Sequence, residues 1–164
     1  VKLTFTKLRN GKITDSQQRM VKDAVKKLKE IAEWKNRNWK ILESQVLNKR
    51  LTWFRKNKSM LKLEGTDVEK AFELLLLKIG INRDEVKIVK KSQHRIVFRS
   101  YNFCPILEAC RLLGFDTREV CREAYEKSTE DFIRQVNPNL KFKRNYDKIR
   151  PYAQFCEEII ELGK

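Results

Sequence analysis

The chain has 164 residues, 41 % apolar and 36 % charged, with a formal net charge of +15. That is enough apolar material for one compact core. The longest unbroken apolar run, Leu74-Leu75-Leu76-Leu77, is far short of the roughly 18 residues that a membrane span needs, so no membrane partner is expected. No basic start followed by an apolar block marks a secretory leader, and the expected compartment is the cytoplasm. The charge is uneven: residues 1–65 hold 18 of the 37 Lys and Arg but only 6 of the 22 Asp and Glu. Such asymmetry points to an anionic partner for the N-terminal part, or to a solubilising helical face.

Residues 1–8 alternate apolar and polar, which predicts a short strand, and Asn10-Gly11 marks a turn. Thr14 or Asp15 then caps a long helix whose apolar positions Val21, Ala24, Val25, Leu28, Ile31 and Ala32 form one stripe. Asn36-Arg37-Asn38 breaks it. The pattern resumes through Trp39, Leu42, Val46 and Leu47 and reaches Trp53-Phe54 beside a basic cluster. Aromatic residues among cations can stack bases and hold phosphates; at helical spacing they more often face a core. The nucleic-acid alternative would use Lys26, Lys29, Arg37, Lys40, Arg50, Trp53, Arg55, Lys56 and Lys58.

Thr66 with Glu69 three positions on forms a capping box for a helix that ends at Gly80. Residues 85–100 read as a hairpin with a loop longer than two residues around Ser92-Gln93-His94. His94 is the only histidine; at about 3.3 Å per residue it lies some 30 Å of extended chain from Cys104, too far for a dyad, and reads as a solvated turn residue. A helix over about 105–113 closes at Gly114. Another starts at Asp116, with Glu119 as a box-like acid, and runs to about Val136, where Asn137-Pro138-Asn139 stops it. Leu140-Lys141-Phe142-Lys143 alternates as a strand, and Phe155–Ile160 reads as a strand pairing with 140–145. The expected fold is α+β: a helical N-terminal half, then a small antiparallel sheet with helices packed on one face. A single domain is expected over 1–164, with a basic helical segment (1–65) and an α+β cysteine-containing core (66–164).

Cys104 stands directly before Pro105, a residue suited to the first helical position. Its sulfur should therefore meet the unpaired N–H groups of the first turn, where a thiolate is favoured. The four cysteines, at 104, 110, 121 and 156, include no C-x-x-C pair, so a zinc ribbon or a disulfide framework is not indicated. Gly-rich phosphate loops, G-x-S-x-G and H-E-x-x-H are all missing, which leaves nucleotide-dependent enzymes, serine hydrolases and common zinc proteases unsupported.

The hairpin ending in Arg99, Cys104-Pro105, Leu113-Gly114, Cys121, Asn137-Pro138-Asn139-Leu140-Lys141-Phe142-Lys143-Arg144 and Cys156 follow one another in an order that resembles the L-2-amino-thiazoline-4-carboxylic acid hydrolase-like family of small prokaryotic proteins. The resemblance covers about residues 85–161, and Cys104, Cys121 and Cys156 fall on its cysteine positions. It implies a hydrolase-like or small-molecule-binding protein with a pocket around these three residues. In a hydrolytic reading, water opens a cyclic amidine: Cys104 is the nucleophile, Glu108 the proton shuttle and Arg99 the carboxylate anchor, with Glu123 and Tyr125 as further substrate contacts. The same three cysteines are candidate ligands for zinc or an iron–sulfur centre, as in a non-catalytic ligand or metal sensor. A homo-oligomer is compatible with this reading.

Overall fold

The computed structural model describes residues 13–163; the strand expected over 1–8 lies outside them. Thr14 starts α1 (Asp15–Trp34) through a full capping box: its hydroxyl accepts the Gln17 N–H at 3.1 Å, and the Gln17 side chain accepts the Thr14 N–H at 3.0 Å. The expected stripe is the buried one, with Val21, Ala24, Leu28 and Ile31 turned inward. The break at Asn36 and Arg37 is a pair of left-handed residues, with φ of 50° and 55°. No glycine relieves them. Arg37 is held instead by Glu119 at 2.9 Å and lies over the Phe115 ring at 5.0 Å. α2 (Trp39–Asn57) follows and ends in a short 3₁₀ turn, Lys58–Met60.

α3 (Asp67–Ile79) carries the expected capping box between Thr66 and Glu69 and ends at Gly80, which is left-handed. Gly65, just before the cap, has φ +95°, and a Cβ there would meet the Glu69 carboxylate that accepts the Thr66 N–H. Gly65→Ala should therefore strain the backbone and break the box together. A loss of about 1–2 kcal/mol is expected in denaturant unfolding.

The sheet has four antiparallel strands: β1 (Val86–Lys91), β2 (Arg95–Ser100), β3 (Leu140–Arg144) and β4 (Cys156–Leu162), in the order β1-β2-β4-β3. The hairpin and the pairing of the last strand with 140–144 are as expected, with a bulge between Ile88 and Lys90. Between β2 and β3 run α4 (Pro105–Leu113), α5 (Thr117–Val120), a π-helical stretch (Cys121–Glu126) and α6 (Lys127–Ile133). The long helix expected over 116–136 is thus interrupted by a wider turn, and it ends at Ile133. Asp116 caps α5 through the Arg118 N–H, while Glu119 reaches Arg37 and the Trp39 indole N–H instead of closing a box.

Two apolar clusters result. One joins α3, the inner face of the sheet and α6 through Phe72, Phe98, Phe132, Phe142 and Ile160. The other joins α1, α2, α4 and the helix from Thr117 through Leu28, Trp39, Leu42, Ala109, Cys110 and Val120. Trp53 and Phe54 meet Phe132 edge-on at 6.3 and 6.5 Å, so their helical spacing does mark a core face. The fold is α+β. Among the described residues, no helix is long and apolar enough to cross a membrane.

Candidate functional site

Strand register builds the site. Side chains alternate across a strand, so Ile160, Glu158 and Cys156 share the inner face of β4. Their partners across the sheet are Ile96, Phe98 and Ser100 on β2, with Phe142 and Arg144 opposite Ile160 and Glu158 on β3. The inner face is therefore apolar at one end and turns ionic, then sulfur-bearing, at the other. The Arg144 guanidinium donates to Glu158 at 3.1 Å, and both side chains are nearly buried.

The π-helical turn faces this polar end. A helix widened to i→i+5 bonding is rare and recurs at functional sites. Here Arg144 Nη1 donates to the Cys121 carbonyl at 3.5 Å. The hydroxyls of Ser128 and Thr129 donate to the carbonyls of Ala124 and Tyr125, at 3.1 Å and 2.6 Å. The widened turn thus keeps its carbonyls satisfied by side chains.

Cys104 caps α4 as expected, its Sγ accepting the Leu107 N–H at 3.5 Å with Pro105 in the first turn. All four cysteines are thiols, and Cys104, Cys121 and Cys156 lie close enough to act on one another's ionisation. Three segments far apart in sequence do converge. Arg150 completes the cluster: its Nε and its own N–H both donate to Cys156 Sγ, at 3.4 and 3.5 Å. Arg150 also ties the segment before β4 to the start of α4 through the Asn102 carbonyl, at 2.7 Å, and accepts the Thr117 hydroxyl at 2.8 Å.

The chemistry expected of Cys104 is corrected. Burial pushes its thiol above the ordinary value, and the opposing Arg150 charge and Leu107 N–H do not offset it. Burial likewise raises Cys121, against Arg144, and pushes Cys110 up to about 12. A helix end favours a thiolate only while solvent or a cation shares the load; desolvation outweighs it here. Tyr125 is raised by burial and by the neighbouring sulfurs of Cys121 and Cys104. Arg50 enters the same interior from α2, donating to the Thr129 hydroxyl at 2.8 Å. Burial and then the charge of Arg144 lower it to about 10.

Other expectations also shift. Glu108 is the fourth residue of α4, and its carboxylate pairs with Arg111 at 3.0 Å. Arg99 lies on the outer face of the sheet, pairs with Glu157 at 2.9 Å and stacks over Phe155 at 4.2 Å. It is thus on the face opposite Cys156 and is no anchor for a ligand there. Glu123 lines a surface cleft of about 380 Å³ together with Asp116, Arg118, Glu119, Arg122, Tyr146 and Asp147. Of the proposed substrate contacts, only Tyr125 joins the cysteines.

The zinc and iron–sulfur reading of Cys104, Cys121 and Cys156 does not fit. Among the described residues, no three His, Cys, Asp or Glu side chains stand close enough to share an ion. Arg144 and Arg150 already place positive charge beside the sulfurs. Of the basic N-terminal residues, Lys26, Lys29, Lys40, Arg55, Lys56 and Lys58 are exposed. Arg37 is exposed but paired with Glu119, whereas Arg50 and Trp53 turn inward and leave the surface set.

Sequence reasoning passed over Arg144, Arg150 and Glu158. The first two sit in a basic run that reads as surface, and the last in an acidic pair. The one available signal was the period of the final strand, which puts Glu158 on the same face as Ile160. Comparison with family models, with curated proteins and with solved structures finds no match for the chain.

Proposed function

We propose that the protein is a small-molecule-binding protein of the L-2-amino-thiazoline-4-carboxylic acid hydrolase-like type, whose ligand carries a carboxylate and an amidine-type cation. One observation carries this reading: the π-helical turn has two functional sides. It turns Cys121 and Tyr125 toward the buried sulfurs and guanidiniums, while Arg122 and Glu123 line the open cleft. The Arg122 guanidinium lies over the Tyr146 ring at 4.3 Å, a rigid platform for a carboxylate. Glu123 is exposed on the same cleft and suits the cation.

Hydrolysis of a cyclic amidine consumes one water: the oxygen bonds to the amidine carbon, the carbon–sulfur bond breaks, and a proton ends on the departing sulfur. The raised thiols argue against Cys104 as nucleophile in this step. Binding is the core of the proposal, and hydrolysis is a second readout.

The test is calorimetry with 2-amino-thiazoline-4-carboxylate, followed by assay of newly released thiol. Saturable binding is expected, weakened about tenfold by Arg122→Ala and by Glu123→Ala, each removing a charged hydrogen bond. No heat at millimolar ligand, or unchanged affinity in both variants, overturns it.

A further inference from the structure

The two edges of the sheet end differently. On β3, strand alternation sends the Leu140 carbonyl and the Phe142 N–H away from β4. Both find partners on α6: Arg134 Nε donates to the carbonyl at 3.0 Å, and a Glu130 carboxylate oxygen accepts the N–H at 3.1 Å. That edge is closed. On the β1 side, the Tyr101 N–H donates to the Glu85 carbonyl at 2.8 Å, which makes 85 and 101 a hydrogen-bonded pair. The register then turns the N–H and carbonyl groups of Val86 and Ile88 to the open edge. Among the described residues, no strand and no side chain bonds to them.

A cavity lies beside this open edge. α3 packs on β2 and β4, and Ile88, on the inner face of β1, is left 38 % exposed. With Phe72 and Ile96 it floors a recess of about 170 Å³. Glu64, the Lys91–Glu69 pair at 2.7 Å and the Arg83–Glu73 pair form the rim. The bulge between Ile88 and Lys90 is what aims Lys91, rather than Lys90, at that rim. A cavity of about 150 Å³ takes a benzene-sized group, so this one has room for one apolar side chain. Three acids on the rim disfavour an acidic one.

The outer face of β1 supplies the charge. Lys87 and Lys90 are exposed there, and neither has an ion pair among the described residues. Across the sheet Glu157 pairs with Arg99, and Arg99 stands opposite Lys87. The row ends on two cations, so an acid on a further strand would answer Lys87.

An open backbone edge, a side-chain recess and a cationic flank are the parts of strand addition, in which main-chain bonds give affinity and pockets give specificity. We propose that β1 and its recess bind an extended segment of another protein in which acidic and apolar residues alternate. The acids lie beside Lys87 and Lys90, and one apolar side chain enters the recess floored by Ile88. A second copy of this chain is a poor occupant, since antiparallel pairing of β1 with itself sets lysine beside lysine on the outer face. Residues 1–8 hold no acid and do not complement that face either.

The test uses a short blocked peptide in which glutamate alternates with valine, and its counterpart with lysine for glutamate, each labelled for fluorescence anisotropy against the full chain. Saturable binding of the glutamate peptide is expected, with none of the lysine peptide at the same concentrations. Lys87→Glu should weaken the glutamate peptide about tenfold and gain the lysine peptide, a gain that misfolding does not imitate. Amide hydrogen exchange should slow at Val86 and Ile88 when the glutamate peptide is bound, and change little at Lys87, whose N–H faces β2. The proposal is overturned if the glutamate peptide does not bind, if Lys87→Glu leaves the preference unchanged, or if the Val86 and Ile88 amides do not slow. Slow exchange at those two amides in the free chain also overturns it: unaffected by dilution, it means that the chain covers its own edge, and lost on dilution, that a second copy does.

Discussion

Glu158→Ala should cost about 3–5 kcal/mol of folding stability, the penalty of leaving a buried charge without its partner. The Arg144–Glu158 pair lies on the inner face of the sheet, with side chains only 12 % and 10 % exposed. Burial is the largest single influence on Arg144 and acts to lower its value, but Glu158, together with Cys121, Tyr146 and Cys156, holds the guanidinium above its ordinary range. Arg50 is a second guanidinium in the same interior, and its charge opposes that of Arg144. Without Glu158, two cations face each other with no carboxylate between them. Against a typical total stability of about 5–15 kcal/mol, this is a large fraction. At about 2–4 °C per kcal/mol for a chain of this size, the melting temperature should fall by roughly 10 °C. Glu157→Gln is the control. Glu157 lies on the outer face with Arg99 and Asn145, so its loss should cost about 1 kcal/mol. Urea unfolding checks both, and a Glu158→Ala cost below that of Glu157→Gln would remove the buried pair from the account. Arg144→Met combined with Glu158→Leu should recover most of the loss, because the lone charge rather than the missing attraction dominates it.

Alkaline conditions should expose the second large effect. Cys110 is 1 % exposed in the apolar cluster of α1, α2 and α4. Burial, with the neighbouring Cys104, raises its thiol from 9.0 to about 12. The folded state therefore keeps a proton that the unfolded chain releases. The contribution is fully present below pH 9 and is lost as pH climbs toward 12. Three pH units at about 1.4 kcal/mol each bound it at about 4 kcal/mol. Cys104, Cys121, Tyr125 and Tyr146 shift in the same direction. Lys27, Lys78 and Arg50 shift in the opposite sense, and as each loses its proton the native state gains. A single-site comparison separates these contributions. Between pH 9 and 11, stability of the native chain should fall faster than that of Cys110→Ala, by up to about 1.4 kcal/mol per pH unit. Parallel curves would mean that the thiol ionises alike in both states.

The same burial decides the chemistry of Cys104. Its position was legible because a strand end, Cys-Pro and a helical stripe leave one place for the cap. Its reactivity was not legible. The helix end acts locally and can be read from adjacent residues, whereas desolvation comes from β4, the π-helical turn and the segment around Arg150 closing over it. Arg99 failed on strand alternation: its neighbour Ser100 faces inward, so Arg99 must face out.

The long helix after Asp116 shows a subtler limit. Its apolar positions are compatible with an unbroken α-helix, and nothing in residues 117–133 announces a π-helical turn. The wider turn fits where the Ser128 and Thr129 hydroxyls and the Arg144 guanidinium reach the displaced carbonyls. One of those donors lies on a strand that begins after the helix ends.

Sequence by itself determined the parts governed by near neighbours: the cap at Thr14, the Thr66–Glu69 capping box, the glycine stops, the hairpin, the pairing of the last strand and the α+β class. These depend on backbone preference and on a side-chain period that repeats within a few residues. Tertiary structure alone decided which charges are buried together, which thiols keep their protons and which side of the π-helical turn meets solvent. Those depend on dielectric and distance between segments up to a hundred residues apart, and no local pattern encodes either.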